Sequence, residues 1–290
     1  MGSTEGGPAR VAGAPSWVPQ DVPVDRPSVA RMYDYYLGGH HNFAVDRKAA
    51  EGAISIWLDL PLVMQANRAF LRRTVQFLAG QGIEQFLDLG SGIPTAGNVH
   101  EVAQQANPAA RVVYVDVDPV AVAHGRALLK DDPQTIAVQA DVRRPDDILD
   151  QAEVKRLLSW DRPVAVLLLA VLHFIPDDAE AYDVVRRLRR ATSPGSFLVI
   201  SHATNENIPA DVHAQMTRLY SRTSSQLVGR TRDQIARYFD GLEMVEPGLV
   251  YLPRWHPEAT RICSWTSRSG RSPWGVSGGC PAAPGSRGGR

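Results

Sequence analysis

The sequence predicts an α/β fold, a mostly parallel sheet with helices on both faces. Three observations carry it. Short apolar runs recur at 85–89, 111–117, 135–140, 163–172 and 196–201. Helix-length segments with apolar residues at i, i+3, i+4 and i+7 separate them. The runs are rich in Val and Leu without strict polar alternation, as strands covered on both faces must be.

Residues 1–24 are rich in Gly, Pro, Ala and Ser, lack periodicity and are expected to be disordered. Order is expected from Asp25. Asp25 or Ser28 would cap a first helix through Met32, Tyr33 and Tyr36, which Gly38-Gly39 ends. A second helix is expected over 49–58, closed near Pro61. A third is expected over 65–78, with Ala66, Phe70, Thr74 and Phe77 on one face and Gly80 and Gly82 as stops. Residues 25–82 therefore read as a helical segment and 83–260 as the sheet domain.

Behind strand one, Thr95 is placed as the cap of a helix with Val99, Val102, Ala103 and Ala106 as its stripe. Strand two runs into Asp118-Pro119, an N-cap followed by proline in the first turn. Strand three leads to Asp141 and a polar helical stretch over 145–160. Strand four precedes Asp177-Asp178-Ala179-Glu180, a capping box for a helix with Tyr182, Val185 and Leu188 inward. Ser193-Pro194-Gly195 turns into strand five. Helices are expected over 209–222 and 231–239, the second capped by Thr231. A strand interrupted at Pro247-Gly248 is expected over 242–252. Beyond Glu258 no acid occurs. Residues 261–290 read as a disordered tail or as the product of a shifted reading frame.

Lys and Arg number 31, as do Asp and Glu, so no whole-chain field favours nucleic acid or an anionic membrane. Cys263 and Cys280 form no CxxC, and no Cys/His/carboxylate set has metal-ligand spacing. There is no signal-like segment and no apolar run of membrane-spanning length, so a cytoplasmic protein is expected.

The chemistry centres on 85–95, an apolar run ending in Asp88-Leu89-Gly90-Ser91-Gly92 ahead of a helix. Glycines there allow tight turning and close ligand approach. Dinucleotide sites usually have an apolar residue at the position of Asp88 and a third glycine at that of Thr95. The phosphate-loop spacing is absent. An acid at this point suits a cationic ligand, so the turn reads as an S-adenosylmethionine (SAM) site rather than an NAD or ATP site. Asp116 closes strand two about 20 residues past the turn, where a ribose diol is held. Asp118 competes for that role but is better placed as a cap. Asp141, after strand three, is expected to accept from an adenine amino group. Ser91 lacks the glycine of a hydrolase elbow.

Leu87 to Gly92, Val115 to Pro119, Ala140-Asp141-Val142 and Ala170 to Phe174 resemble the successive motifs of class I SAM-dependent methyltransferases. More narrowly, Tyr33 to Gly39, Asn42-Phe43, Asp46-Arg47, Ala66-Asn67-Arg68, Pro94-Thr95, Asn98 to Glu101 and Val171 to Phe174 resemble a family called simply S-adenosyl methyltransferases, common in high-GC bacteria. The resemblance implies a seven-stranded Rossmann-like sheet with an N-terminal helical cap and SAM as methyl donor. It implies SAM contacts from Asp88, Gly90, Ser91, Gly92, Asp116, Val117, Asp118, Asp141, Val142, Ala170 and Leu172. Tyr33, Tyr36, Gly39, Asn42, Phe43, Arg47 and Asn67 are expected in a lid or on the acceptor side. His173 is placed either as a base facing the methyl group or as a packing residue of its loop. The expected activity is methyl transfer to a small molecule. A catalytically silent SAM-binding module and, less well matched, an NAD-dependent oxidoreductase are the alternatives.

Overall fold

The structure is a computed structural model and describes residues 25–94 and 97–257. The expectations placed on the N-terminal tail, on Thr95 and on residues 258–290 lie outside the described residues. In chain order the elements are α1 (Val29–Tyr36), α2 (Ala44–Ile56), α3 (Leu60–Gly80), β1 (Gln85–Leu89), α4 (Val99–Ala106), β2 (Arg111–Asp116), α5 (Pro119–Leu128) and β3 (Thr135–Gln139). They continue with α6 (Pro145–Leu149), α7 (Ala152–Leu157), β4 (Ala165–Leu169), α8 (Asp178–Ala191), β5 (Phe197–Ser201), α9 (Ala210–Tyr220) and α10 (Arg232–Ala236).

The five strands pair in parallel in the order β3-β2-β1-β4-β5. The chain winds outward from β1 to β3, then returns to β4 on the other side of β1. That reversal opens a crevice at the carboxyl ends of β1 and β4, where ligands of such sheets bind.

Side chains alternate across the sheet with the period of two that strands impose. Leu87, Val113, Val115, Val166 and Leu168 face a layer formed by α6, α7, α8 and α10. Phe86, Val112, Tyr114, Leu167 and Leu169 face the other way, onto α3 and α4. Within the expected N-terminal segment, α3 thus shares a core with the strands, through Phe70, Leu71, Val75 and Leu78. Helices α1 and α2 pack instead with α9, through Met32, Tyr36, Ala50, Met216 and Tyr220.

The sheet has five strands among the described residues, not seven. Residues 242–251 are irregular apart from a turn at Glu246 and Pro247, and a 3₁₀ turn follows at Leu252–Arg254. Pro247 lacks the N–H a ladder needs, and Gly248 takes φ +79°, outside the strand region. Pro61 starts α3 rather than closing α2, as its fixed φ permits in a first turn.

One buried charged cluster ties α1 and α2 to the sheet. Arg31 Nε donates to Asp46 Oδ2 at 2.8 Å, and its Nη1 lies 3.5 Å from Asp118 Oδ2. Ser28 donates its backbone N–H to Asp46 and its hydroxyl to Asp118. The guanidinium stands 5.0 Å from the Phe43 ring centroid.

Candidate active site

A cavity of about 280 Å³ occupies the crevice. One wall is made by the strand tips: Asp88, Gly90, Ser91, Gly92, Asp116, Val117, Asp141, Val142 and Ala170. The facing wall is Val29, Ala30 and Tyr33 of α1, Asn67, Arg68 and Leu71 of α3, and the segment Ser224 to Gln226. A smaller hollow of about 170 Å³ lies at the opposite ends of the strands, around Gln81 to Gln85 and Pro163, and holds none of the expected site residues.

The glycine turn forms as its sequence requires. Gly90 and Gly92 take φ +71° and +65°. The N–H groups of Gly90 and Ser91 both donate to Val115 O, at 2.8 and 3.1 Å, which fastens the turn to the tip of β2. Gly92 N–H donates to Asp116 Oδ2 at 2.7 Å, and Asp118 N–H donates to Asp116 Oδ1 at 2.8 Å. Backbone donors, with Val117 N–H as a third, thus fix the Asp116 carboxylate, whose two oxygens retain further acceptor capacity. Burial pushes Asp116 up to about 6, against those hydrogen bonds.

Asp88, in the middle of the crevice, is 5% exposed. Burial pushes its carboxyl up to about 7, opposed by the charge of Arg68 and aided by that of Asp116. A desolvated carboxyl of this kind is stabilised as an anion by an arriving cation. Arg68, which donates to Asn98 Oδ1 at 3.1 Å, lines the same part of the cavity. Asp141 stands at the other end, paired with Arg143, whose Nε lies 3.0 and 2.9 Å from its two oxygens. Beside the acids, Val117 is apolar and 59% exposed, which gives the cavity an apolar surface next to its carboxylates.

Other expected site residues stand elsewhere. Asp118 caps α5, accepting from Val120 N at 2.8 Å, and belongs to the Arg31 cluster. Leu172 is buried in the core. Tyr36 bonds to Tyr220, hydroxyl to hydroxyl, at 3.0 Å. Asn42 donates to Asp34 Oδ2 at 2.8 Å and Gly39 O at 2.9 Å, and Arg47 donates back to Asn42 O at 2.9 Å. Gly39 packs against Asp34, whose Oδ1 would lie 2.0 Å from any added Cβ. Phe43 precedes α2 and packs near Ile93 and Val120.

His173 does not line the cavity. Ala170 turns the chain with φ +56°, and a 3₁₀ turn over Leu172–Phe174 carries His173 toward β5. Its Nδ1 accepts from Ala203 N at 3.2 Å. Burial, with His202 and Arg230 close by, holds its pKa well below the usual imidazole range. The fully buried Arg230 braces this region, donating to Leu172 O at 3.1 Å, Ile175 O at 2.9 Å and Asp178 Oδ1 at 2.9 Å.

Arg68, Arg143, Phe174 and Ser224 to Gln226 line the cavity without having been expected there. Of these, Arg68 carried a sequence signal through Ala66-Asn67-Arg68, and Phe174 through the motif that ends on it.

Among the described residues no three His, Cys, Asp or Glu side chains are grouped to hold a metal ion, and no helix is long and apolar enough to cross a membrane. A crystal structure of an inferred methyltransferase from Thermobifida fusca YX superposes with TM-score 0.80, at 41% identity over 89% of this chain and 95% of that one. A DUF574-family protein from Streptomyces avermitilis MA-4680 superposes with TM-score 0.78, at 40% identity over 81% and 91%. Trans-aconitate 2-methyltransferase from Escherichia coli is 27% identical over 215 residues, 70% of this chain and 75% of that protein. The S-adenosyl methyltransferase family matches residues 15–280. This chain, with its Rossmann-like α/β fold, therefore belongs to the S-adenosyl methyltransferase family.

Proposed function

We propose that the crevice binds SAM and transfers its methyl group to a small molecule whose attacking atom is already unprotonated. The observation that carries this is the closeness of the Arg68 charge to the buried Asp88 in a cavity that also holds Asp116, Val117 and Asp141. An amino acid tail needs an anion and a cation together, and an adenosine needs a diol acceptor beside an apolar face. Asp88 would hold the α-ammonium and Arg68 the α-carboxylate. Asp116 would accept from the ribose hydroxyls, Val117 and Val142 would flank the adenine, and Asp141 would accept from its amino group. When bound, SAM supplies an electrophilic methyl group on a sulfonium leaving group.

The chain's own task is alignment, for which fixed geometry is worth roughly 7–11 kcal/mol in favourable cases. No imidazole stands among the described residues lining the cavity. Burial raises the Tyr33 phenol above its ordinary range, which disfavours it as a base. This favours acceptors that need no deprotonation, such as a carboxylate or a neutral amine. The carboxylate alternative accords with the name of the Escherichia coli relative, whose substrate is an organic acid. Of the residues expected in a lid or on the acceptor side, Tyr33 and Asn67 line the cavity, and α1 adds Val29 and Ala30, so the lid role narrows to α1.

Methyl-labelled SAM incubated with the protein and a metabolite extract tests the reading. A labelled product that is a methyl ester or methylamine supports it. SAM binding by calorimetry without any labelled product would favour the silent binding module.

A further inference from the structure

We propose that the methyl acceptor is an uncharged molecule attacking through a weakly basic nitrogen, and that Phe174 with Ser224, Ser225 and Gln226 forms the subsite that holds it. The proposal rests on the SAM reading above and deepens it by choosing between the two acceptor classes left open there.

Charge makes the choice. Three carboxylates, Asp88, Asp116 and Asp141, and two guanidiniums, Arg68 and Arg143, line the cavity. Ionised, they leave one negative charge over. SAM, with two cationic groups and one carboxylate, brings one positive charge, so the crevice is balanced before any acceptor arrives. Neither arginine remains for an acceptor anion. Arg143 holds Asp141, and Arg68 serves the SAM carboxylate in the reading above. An acidic acceptor would leave one negative charge unmatched both before and after transfer, and an unpaired charge out of water is costly. A neutral acceptor keeps the balance throughout. Its nitrogen lone pair forms the new N–C bond. The C–S bond breaks with its electron pair left on sulfur, and the positive charge passes from sulfur to nitrogen. No proton moves in the transfer, so the nitrogen must be unprotonated at neutral pH, as ring nitrogens of the pyridine type are.

The wall away from the strand tips suits such a molecule. Ser224 N–H donates to Pro27 O at 2.8 Å, and Ser224 Oγ accepts from Val29 N–H at 3.2 Å. Farther on, Val228 N–H donates to His173 O at 2.8 Å. The segment is thus a strap from the start of α1 to the 3₁₀ turn that carries Phe174. Apart from Arg143, the cavity residues on this side are uncharged: Val29, Ala30, Phe174 and Pro176 beside Ser225 and Gln226. Gln226 is exposed, and its amide makes no hydrogen bond among the described residues, so it has donors and an acceptor to offer a polar substituent. An aromatic ring in this wall also attracts the cation formed on nitrogen.

The test incubates the protein and methyl-labelled SAM with a metabolite extract split by anion exchange into retained and unretained pools. Label is expected in the unretained pool, on nitrogen, as a cationic product. Label arising from the retained pool as a methyl ester would overturn the proposal. So would label in neither pool while calorimetry shows SAM bound. Failure to bind SAM would instead reject the SAM reading itself. The subsite is tested with Gln226→Leu at limiting amounts of the unretained pool. Label formation should fall about two- to tenfold, the size of one hydrogen bond, with SAM affinity within about twofold. Unchanged label formation, or an equal loss of SAM affinity, would overturn the assignment.

Discussion

Val171 fills the space that a side chain on Gly90 would need: a Cβ added at Gly90 would lie 2.4 Å from Val171 Cγ2. The segment after β4 and the glycine turn after β1 are thus in contact at Gly90, where the backbone has no side chain. At Gly92, two residues on, an added Cβ meets nothing within 4 Å. Both glycines have positive φ, at about 1–2 kcal/mol for another residue. Gly90→Ala adds a steric clash of about 1–3 kcal/mol. The expected order in thermal melts is wild type, then Gly92→Ala, then Gly90→Ala, with SAM affinity falling most for Gly90→Ala.

The raised pKa of Asp88 sets a pH dependence for binding. The site must hold an anion to receive an ammonium, so below about 7 a proton has to leave on binding. SAM affinity should therefore drop by about tenfold per pH unit below that point and level off above it. Asp88→Asn should bind more weakly and lose the slope, as calorimetry from pH 5.5 to 8.5 would register. Stability runs the other way. A carboxyl with a folded pKa of about 7 against an ordinary 3.8 binds its proton more tightly when folded. Its contribution is thus present at low pH and lost as pH rises through 7. At pH 8, ligand-free Asp88→Asn should melt above the wild type, with the gap closing toward pH 5.

Arg68 should matter only for ligands with an amino acid tail. Arg68→Met is expected to weaken S-adenosylhomocysteine by about 10- to 100-fold, in line with roughly 1.5–3 kcal/mol for a charge-assisted hydrogen bond. It should leave 5′-methylthioadenosine, which lacks the tail, within about twofold, allowing for the usual scatter of distant effects. Equal losses for the two ligands would remove Arg68 from the carboxylate role.

Arg230 holds the loop that forms one cavity wall. Arg230→Met would strand the carbonyl of Ile175, while Leu172 O keeps the Ile175 N–H, and an unsatisfied buried acceptor costs about 1–3 kcal/mol. The expected outcome is a lowered melting temperature together with weaker SAM binding. Arg230→Lys should recover little of either, because an ammonium does not reproduce the planar fork of donors.

Much of this was legible in the sequence, for identifiable reasons. β1 and its glycine turn are visible because apolar runs and glycines report local backbone needs. Asp116 and Asp141 are visible because each acid interrupts a greasy strand at its tip. His173 follows an apolar strand in the same manner, yet the left-handed turn at Ala170 points it elsewhere, and nothing in the local pattern announces that turn. Asn42 and Arg47 look like ligand-binding residues by type; in the fold they are spent on Asp34 and on each other. Arg68 is one arginine among many until the packing of α3 against the crevice sets it beside Asp88. The strand expected over 242–252 fails because Pro247 and Gly248 weigh more than the apolar residues around them.

The contact between Ser28 and Asp118 spans 90 residues of chain, and this bears on the order in which the molecule can assemble during synthesis. At translation speeds of about 5–20 residues per second, Asp118 follows Ser28 by roughly 5–20 s. Through that interval α1, with 8 residues, is too short to persist alone. Arg31 and Asp46 meanwhile have no desolvated place to occupy. Helices α1 and α2 therefore lack this anchor until β2 and the start of α5 exist to receive them. The apolar faces of α1 and α2 are covered by α9, which is made later still, so nascent chains halted before α9 should expose those faces to chaperones.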